Sequence, residues 1–152
     1  MNLSRTAVLN IALEIERHGI ELYEQIRKKN GDRELLDWLI EQEKAHIKVF
    51  HNLFDAGGAV HEDQFNATHL NDDMLAAAYG STELFAKINP DSALKDLYAT
   101  ALALEKDSVL FYAELIDLIG NDYPAEAELL TKIRAEEQKH IHALVEVHSR
   151  LS

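Results

Sequence analysis

Cysteine is absent from this chain of 152 residues, and its absence excludes disulfide bonds, thiolate metal sites, iron–sulfur clusters and cysteine nucleophiles. Glycine and proline are scarce, with six and two residues respectively. No apolar run approaches the ~18 residues of a membrane-spanning helix, and the amino terminus lacks the apolar segment of a signal peptide. We therefore expect a soluble, cytoplasmic protein that is rich in helix.

Basic residues are also few, since 15 lysines and arginines face 27 acidic residues and leave a formal net charge of −12. Nucleic acids and anionic membranes are negatively charged, so neither is an expected partner. Apolar residues nevertheless make up 47% of the chain. This content and length predict a single domain, residues 1–152, with a buried core.

Hydrophobic periodicity predicts an all-α fold, and no segment shows convincing strand alternation. The pattern predicts four long helices over residues 4–29, 32–56, 90–119 and 124–149. Asn30 and Gly31 should end the first helix, and Asp32 should cap the second. Asn89 should cap the third ahead of Pro90, and Pro124 should open the fourth. Short turns join the first to the second and the third to the fourth, whereas a crossover over 57–89, containing a short extra helix near 71–88, separates the pairs. Two antiparallel hairpins joined by one long crossover are typical of a ferritin-like four-helix bundle.

The two hairpins resemble each other in sequence. Six residues of the segment 34–47 recur without a gap 94 positions later, in the segment 128–141. The first and third helices match more faintly, because a tyrosine follows seven residues after a glutamate in each. Similar hairpins would pack about a pseudo-two-fold axis, so a residue repeated on the inner face would occur twice at the centre of the bundle.

The repeated inner residues include ones that bind metals. Glu43 and His46 lie three apart on the second helix, as Glu137 and His140 do on the fourth, so each pair faces one direction. Glutamates on the apolar stripes of the other two helices complete a set of four carboxylates and two imidazoles. This set is the di-iron or di-manganese carboxylate pattern, and it favours Fe, Mn or Zn over Ca or Mg. The predicted ligands are Glu16, Glu43, His46, Glu105, Glu137 and His140.

Other residues near this set carry weaker signals. Tyr23 and Tyr112 lie one heptad past the glutamates of the first and third helices, where they could donate hydrogen bonds to ligand carboxylates or be ordinary core aromatics. The remaining histidines have no repeat partner and are expected to face solvent. Glu14, Glu41 and Glu136 adjoin ligand positions but are expected to point elsewhere on their helices.

Nearly the whole chain resembles the rubrerythrin family of the ferritin-like superfamily. The resemblance rests on the segments 13–23, 41–46, 104–105, 111–112 and 136–140. It implies a di-iron site that reduces hydrogen peroxide, an activity associated with oxidative stress. It also implies that the six residues named above are the iron ligands and that Tyr23 supports them, while Tyr112 departs slightly from the family's spacing.

Two features depart from typical rubrerythrins. The family's rubredoxin domain holds an iron with four cysteines and supplies electrons, so a chain without cysteine requires a separate donor protein. Family members also carry an extra carboxylate three residues after the third-helix ligand, where this chain has Ser108, and its counterpart in the first helix is Gly19. The redox-dependent ligand exchange of the family is therefore not expected to operate in the same way.

The sequence thus predicts a di-iron oxidoreductase, a homodimer, that reduces hydrogen peroxide or dioxygen with electrons from another protein. One alternative is ferroxidation and iron storage in a cage. The other is a bundle in which the metal ions have only a structural role. Manganese or zinc could substitute for iron as the bound metal.

Overall fold

The computed structural model describes residues 2–55, 64–66, 73, 89 and 91–151. Four long helices dominate these residues: α1 (Arg5–Lys28), α2 (Arg33–Asp55), α3 (Leu94–Ile119) and α4 (Pro124–Ser149). The prediction of an all-α four-helix bundle is confirmed. The extra helix predicted near 71–88 and most of the 57–89 crossover lie outside the described residues.

The turn between α1 and α2 follows the predicted stop and start signals. Asn30 adopts a positive φ of 62°, and the Gly31 N–H donates to the Ile26 carbonyl at 3.0 Å, which closes the helix in a Schellman-type turn. A side chain on Gly31 would collide with Ile26, Leu36 and the Tyr98 hydroxyl.

The second helix then begins at the predicted cap. The Asp32 carboxylate accepts a hydrogen bond from the Leu35 N–H at 3.0 Å, which satisfies one of the free amides at the start of a helix. The Asp32 N–H itself donates to the Tyr98 hydroxyl at 2.9 Å. This bond ties the turn of the first hairpin to the third helix.

The start of α3 differs from the prediction. We expected Asn89 to cap a helix beginning at Pro90, but α3 begins at Leu94, after Ala93. The Asn89 side chain accepts from the Asp91 N–H at 3.0 Å and its carbonyl accepts from the Ser92 N–H at 2.8 Å. Asparagine stabilises such turns with the same hydrogen bonds that make it a good cap. The presence of Asn89 therefore could not distinguish a turn from the start of a helix.

A two-stranded ribbon also lies outside the prediction. Strand β1 (Asn2–Ser4) pairs antiparallel with β2 (Gln64–Asn66), with Leu3 opposite Phe65. Three residues are too few to show the alternation that identifies a strand. The ribbon connects the amino terminus to the crossover, and Ser4 then caps α1 by accepting from the Ala7 N–H.

The helices pack as two hairpins, α1 with α2 and α3 with α4, which meet mainly through α1 and α3 and also through α2 and α4. Two apolar clusters fill the interior. One contains Phe50, Phe111 and Leu130, and the other contains Leu22, Leu36 and Leu144. No helix in the described ranges is long and apolar enough to cross a membrane.

Candidate metal centre

A layer of polar side chains lies between the two apolar clusters, in the middle of the bundle. It contains the six residues that the sequence predicted as ligands, and each is at most 3% exposed: Glu16, Glu43, His46, Glu105, Glu137 and His140. Each occupies the inner stripe of its helix; in α1, for example, Glu16 lies between buried Leu13 and Leu22. The structure therefore brings all six predicted residues together.

The six residues form two overlapping groups that could hold a metal ion. The first group consists of Glu16, Glu43, His46 and Glu137, and the second of Glu43, Glu105, Glu137 and His140. Within each group, one potential ligand atom per residue lies within 4.8 Å of the others. Glu43 and Glu137 belong to both groups, whereas the other two glutamates each belong to one.

The two shared glutamates divide their oxygens between the two histidines. Glu43 Oε1 lies 3.0 Å from His140 Nδ1, and its Oε2 lies 3.8 Å from His46 Nδ1. Glu137 does the reverse, with Oε1 3.1 Å from His46 Nδ1 and Oε2 3.0 Å from His140 Nδ1. Both carboxylates thus lie where they could bridge two ions.

The remaining two glutamates each contact a single histidine. Glu16 Oε2 lies 3.3 Å from His46 Nδ1, and Glu105 Oε1 lies 3.5 Å from His140 Nδ1. In both halves the histidine presents Nδ1 to the carboxylates, which leaves Nε2 directed away from them. The imidazole rings themselves are nearly parallel, with centroids 5.8 Å apart.

Two buried tyrosines donate hydrogen bonds to these terminal glutamates across the hairpins. Tyr23 of α1 donates to Glu105 of α3, and Tyr112 of α3 donates to Glu16 of α1. The supporting role considered for both residues is thus consistent with their geometry. Because the two bonds are equivalent under the repeat, each tyrosine orients the carboxylate that belongs to the other hairpin.

Several buried polar atoms of the layer lack a hydrogen-bond partner among the described residues. They are Glu43 Oε1, both carboxylate oxygens of Glu137 and both ring nitrogens of His140. Some of these atoms lie only 3.0 Å apart, but their geometry is not that of a hydrogen bond. Buried polar atoms normally have partners, and a mixed carboxylate–imidazole set binds transition metals well. The residues therefore fit a pair of metal ions.

Crowding of the four carboxylates changes their proton affinities in the metal-free chain. Burial, followed by repulsion from neighbouring carboxylates, raises the pKa of Glu43 and of Glu137 well above the usual range. Burial would also raise the pKa of Glu16 and of Glu105, but close contacts with other polar side chains of the layer outweigh it and lower both. The shared glutamates are thus the two carboxylates of the layer whose protonated form is favoured.

The two histidines respond in the opposite sense to burial. Burial alone would lower the pKa of His46, but contacts with Glu137 and Glu16 raise it far above the ordinary 6.5. Burial is likewise outweighed at His140, where contacts with Glu105, Glu137 and Glu43 raise the pKa to about 12. In the metal-free layer, the pKa shifts of both histidines and of both shared glutamates thus favour the protonated forms.

Glu136 belongs to this site although the sequence analysis expected it to point elsewhere. It does point away from the carboxylates, but its Oε2 lies 2.6 Å from His46 Nε2, on the outer side of the ring. The sequence offered two hints about Glu136: it directly precedes Glu137, and it replaces Gln42 at the equivalent position of the repeat. Its partner lies on another helix, so spacing within α4 could not identify it.

The outer side of the other histidine is different. His140 Nε2 is buried without a hydrogen-bond partner in the described part of the chain. The ring of Trp38 packs edge-on against it, with centroids 5.3 Å apart and an interplanar angle of 83°. Trp38 is 41% exposed, so it covers His140 from the solvent side.

Ser108 and its counterpart Gly19 both lie close to the layer. Ser108 is buried, but its hydroxyl donates to the Leu104 carbonyl of its own helix at 2.9 Å. The Cα of Gly19 faces Glu43, and a Cβ there would lie 3.7 Å from the Glu43 side chain. Neither residue supplies an additional ligand.

The other described histidines, His18, His51, His142 and His148, do not join either metal-binding group. His61 and His69 lie outside the described residues.

The fold and the site together define an all-α four-helix bundle with a buried glutamate–histidine cluster that could hold metal. No protein-family model matches the chain, and no solved structure matches it. Over 53 residues it is 43% identical to a protein of Archaeoglobus fulgidus described as uncharacterized, an alignment that spans 33% of this chain and 82% of the relative. The chain belongs to the same family as this archaeal protein, whose description names no activity.

Proposed function

We propose that the chain is a di-iron redox protein similar to rubrerythrin, which reduces hydrogen peroxide or dioxygen with electrons from a separate donor. The observation that carries the proposal is the pair of shared glutamates. Each offers one oxygen to the His46 side and the other to the His140 side. This arrangement suits two ions about 3.5–4 Å apart, as in two-metal sites generally.

The donor set also supports the choice of metal. Four carboxylates and two neutral imidazoles would balance the charge of two divalent cations, and without cations their burial would be costly. Imidazole and carboxylate ligands together suit iron, manganese and zinc, whereas calcium and magnesium prefer oxygen alone. Bound iron would supply the electrons that reduce the oxidant, and its redox chemistry would be its own.

The protein's residues would position the metal pair and keep bulk water from it. Tyr23 and Tyr112 hold the terminal glutamates by hydrogen bonds, which preorganises them for their ions. The apolar clusters above and below the layer limit the access of water. Because the chain contains no cysteine, it has no rubredoxin-type iron centre, and we propose that a second protein delivers the electrons.

The decisive experiment is anaerobic loading with ferrous iron, followed by rapid mixing with hydrogen peroxide or, separately, with air. We expect two irons per chain and faster oxidation by peroxide than by air. Absorbance in the near ultraviolet and the visible range monitors the oxidation. Glu43→Ala and Glu137→Ala should abolish stoichiometric binding, while an exposed control, Glu128→Gln, should retain it. Absence of stoichiometric binding in the unaltered chain would overturn the proposal.

The same experiment distinguishes the other functions considered for this bundle. Faster oxidation by air, with uptake of more than two irons per chain, would indicate iron oxidation and storage. Bound iron that reacts with neither oxidant would indicate metal ions with a structural role. We also propose a homodimer, which a solution mass near twice 17.2 kDa would support and a cage-sized particle would contradict.

A further inference from the structure

We infer that the two metal positions are unequal, and that the His46 position binds its ion more tightly because Glu136 supports the histidine from outside. The inference rests on the proposed metal centre and concerns which of its two positions binds a metal ion more tightly. The ligands offered to the two positions are equivalent under the repeat. The residues behind the two histidines are not.

Behind His46, a carboxylate accepts from the outer ring nitrogen. Metal binding through Nδ1 requires an imidazole whose single proton lies on Nε2, and Glu136 Oε2 is 2.6 Å from that nitrogen. The bond fixes the tautomer and the ring orientation, and it makes Nδ1 a stronger donor. Glu136 is 44% exposed at its side chain, so it is close to solvent while its partner is buried.

Behind His140, the described residues provide no equivalent support. The residue 94 positions before Glu136 is Gln42, which is half-buried and has no hydrogen bond to His140 in the structure. The neighbour of His140 is the Trp38 ring, which lies roughly perpendicular to the imidazole and has no conventional hydrogen-bond acceptor. Lys132 takes the place of Trp38 in the other half. The two halves therefore differ at two equivalent pairs of positions, Glu136 against Gln42 and Lys132 against Trp38.

The expected consequence is a difference in affinity. Loss of a hydrogen bond to a metal-binding histidine typically lowers metal affinity about 10–100-fold. We therefore expect the metal-free chain to bind a first ion at Glu16, His46 and the shared glutamates. A second ion, at Glu105 and His140, should bind about 10–100-fold more weakly. Glu136 is in this sense a positioning residue, which acts on the metal only through His46.

Cobalt(II) titration of the metal-free protein tests the order of binding without relying on activity. Calorimetry should resolve two steps. Trp38 is the one tryptophan of the chain and lies against His140, so most of the quenching of its fluorescence should accompany the second step. His140→Ala should keep the tight step alone, and His46→Ala the weak step alone.

The repeat suggests a single variant at Glu136 and a double variant that exchanges the residues at positions 42 and 136. The double variant leaves the charge and composition of the chain unchanged. Glu136→Gln should weaken the first step about 10–100-fold and leave the second almost unchanged. The double variant Glu136→Gln/Gln42→Glu moves the carboxylate to the other half, so tryptophan quenching should then begin with the first equivalent of cobalt. Glu128→Gln, which removes one charge from an exposed residue paired with Lys132, controls for net charge.

The outcomes separate this inference from the proposed function. Two equal steps in the unaltered chain, or an equal loss in both steps after Glu136→Gln, would overturn the inference while leaving the metal centre intact. A first step that survives in His46→Ala and disappears in His140→Ala would overturn it as well. No stoichiometric cobalt binding in any variant would instead overturn the proposed metal centre.

Discussion

The two hairpins of the bundle contribute similar residues to the central layer but surround them differently. Each provides one terminal glutamate, one shared glutamate, one histidine and one tyrosine that supports the opposite hairpin. The differences lie just outside this set. His46 is hydrogen-bonded by Glu136 of the other hairpin, whereas His140 is covered by Trp38.

Residues that recur in both hairpins and residues that do not recur have different roles in the site. Residues that recur in both hairpins form the part of the site that any pair of ions would need, because a pseudo-two-fold axis presents them twice. Residues that do not recur make the two halves different. Gln42 and Glu136 occupy equivalent positions. Of the two, Glu136 alone hydrogen-bonds a histidine of the layer among the described residues, so one substitution within the repeat changes the environment of one half.

The largest expected effect comes from removing a shared ligand. Glu43→Gln should weaken both metal positions by more than about 100-fold, beyond the ~10–100-fold typical of outer partners, because its two oxygens serve both histidines. Glu105→Gln should weaken only the His140 position. The metal content after gel filtration should be zero ions per chain for Glu43→Gln and one ion per chain for Glu105→Gln. Cobalt(II) calorimetry measures the affinities of both variants.

A stability measurement provides the control for this pair of variants. Ligand at 100 times its dissociation constant stabilises a folded protein by about 2.7 kcal/mol, so cobalt should raise the melting temperature of the unaltered chain. It should raise that of Glu105→Gln less and leave that of Glu43→Gln unchanged. Equal behaviour of the two variants would show that the carboxylates are not divided into shared and terminal ones.

The second effect is a dependence of metal affinity on pH that both halves should share. The pKa values of Glu43, Glu137, His46 and His140 are raised in the metal-free fold. These groups must lose their protons before they bind metal. Cobalt affinity should therefore rise from pH 6 to pH 8, about tenfold per pH unit for each proton released. Calorimetry in buffers of different ionisation enthalpy counts the protons.

The stability of the metal-free chain should change in the opposite direction over the same range. Groups with raised pKa values bind more protons folded than unfolded, so their contribution is complete below the unfolded pKa and is lost as pH rises. The window begins near the ordinary values of 4.5 for glutamate and 6.5 for histidine. Chemical denaturation at pH 6 and pH 8 should show lower stability at pH 8, and metal should remove the difference.

The tyrosines should show the symmetry that the outer residues lack. Tyr23→Phe and Tyr112→Phe each remove one hydrogen bond to a buried terminal glutamate, which we expect to cost about 1–3 kcal/mol of unfolding free energy. Each should also lower cobalt affinity about tenfold at one position only. Denaturation and calorimetry of the matched pair should give similar losses, and markedly different losses would extend the asymmetry to the tyrosines.

Much of the site was predictable from the sequence because its geometry depends on helical spacing. Glu43 with His46 and Glu137 with His140 needed only the three-residue spacing and an apolar face, and the structure places them together with Glu16 and Glu105. The contact of Glu136 with His46 depends on how α4 packs against α2, which no spacing within one helix encodes. The packing of Trp38 against His140 depends on the same interface.

The fold was predictable to a similar extent. Asp32 and Pro124 begin their helices as expected, because caps and proline act through local backbone chemistry. Asn89 failed as a predictor because the same side chain also stabilises a turn. The β1–β2 pairing joins residues about sixty positions apart, and such a short ribbon has no periodicity from which to infer it.

The smallest expected effect concerns Gly19 and Ser108, the equivalent positions next to the terminal glutamates. A Cβ at Gly19 would meet the Glu43 side chain at 3.7 Å and the Tyr23 ring at 3.8 Å, which are ordinary contact distances. Because glycine within a helix costs about 0.5–1 kcal/mol relative to alanine, Gly19→Ala should raise the unfolding free energy by up to that amount.

Ser108→Ala is the matched change in the other hairpin. It removes a hydroxyl whose hydrogen bond, among the described residues, goes to the Leu104 carbonyl of its own helix, so the unfolding free energy should change by no more than about 1 kcal/mol. Cobalt affinity should be unchanged in both variants, since neither residue supplies a ligand. A loss of affinity in Gly19→Ala alone would mean that Glu43 needs the space beside Gly19 to move when metal binds, and the two halves would then differ in their freedom of movement as well.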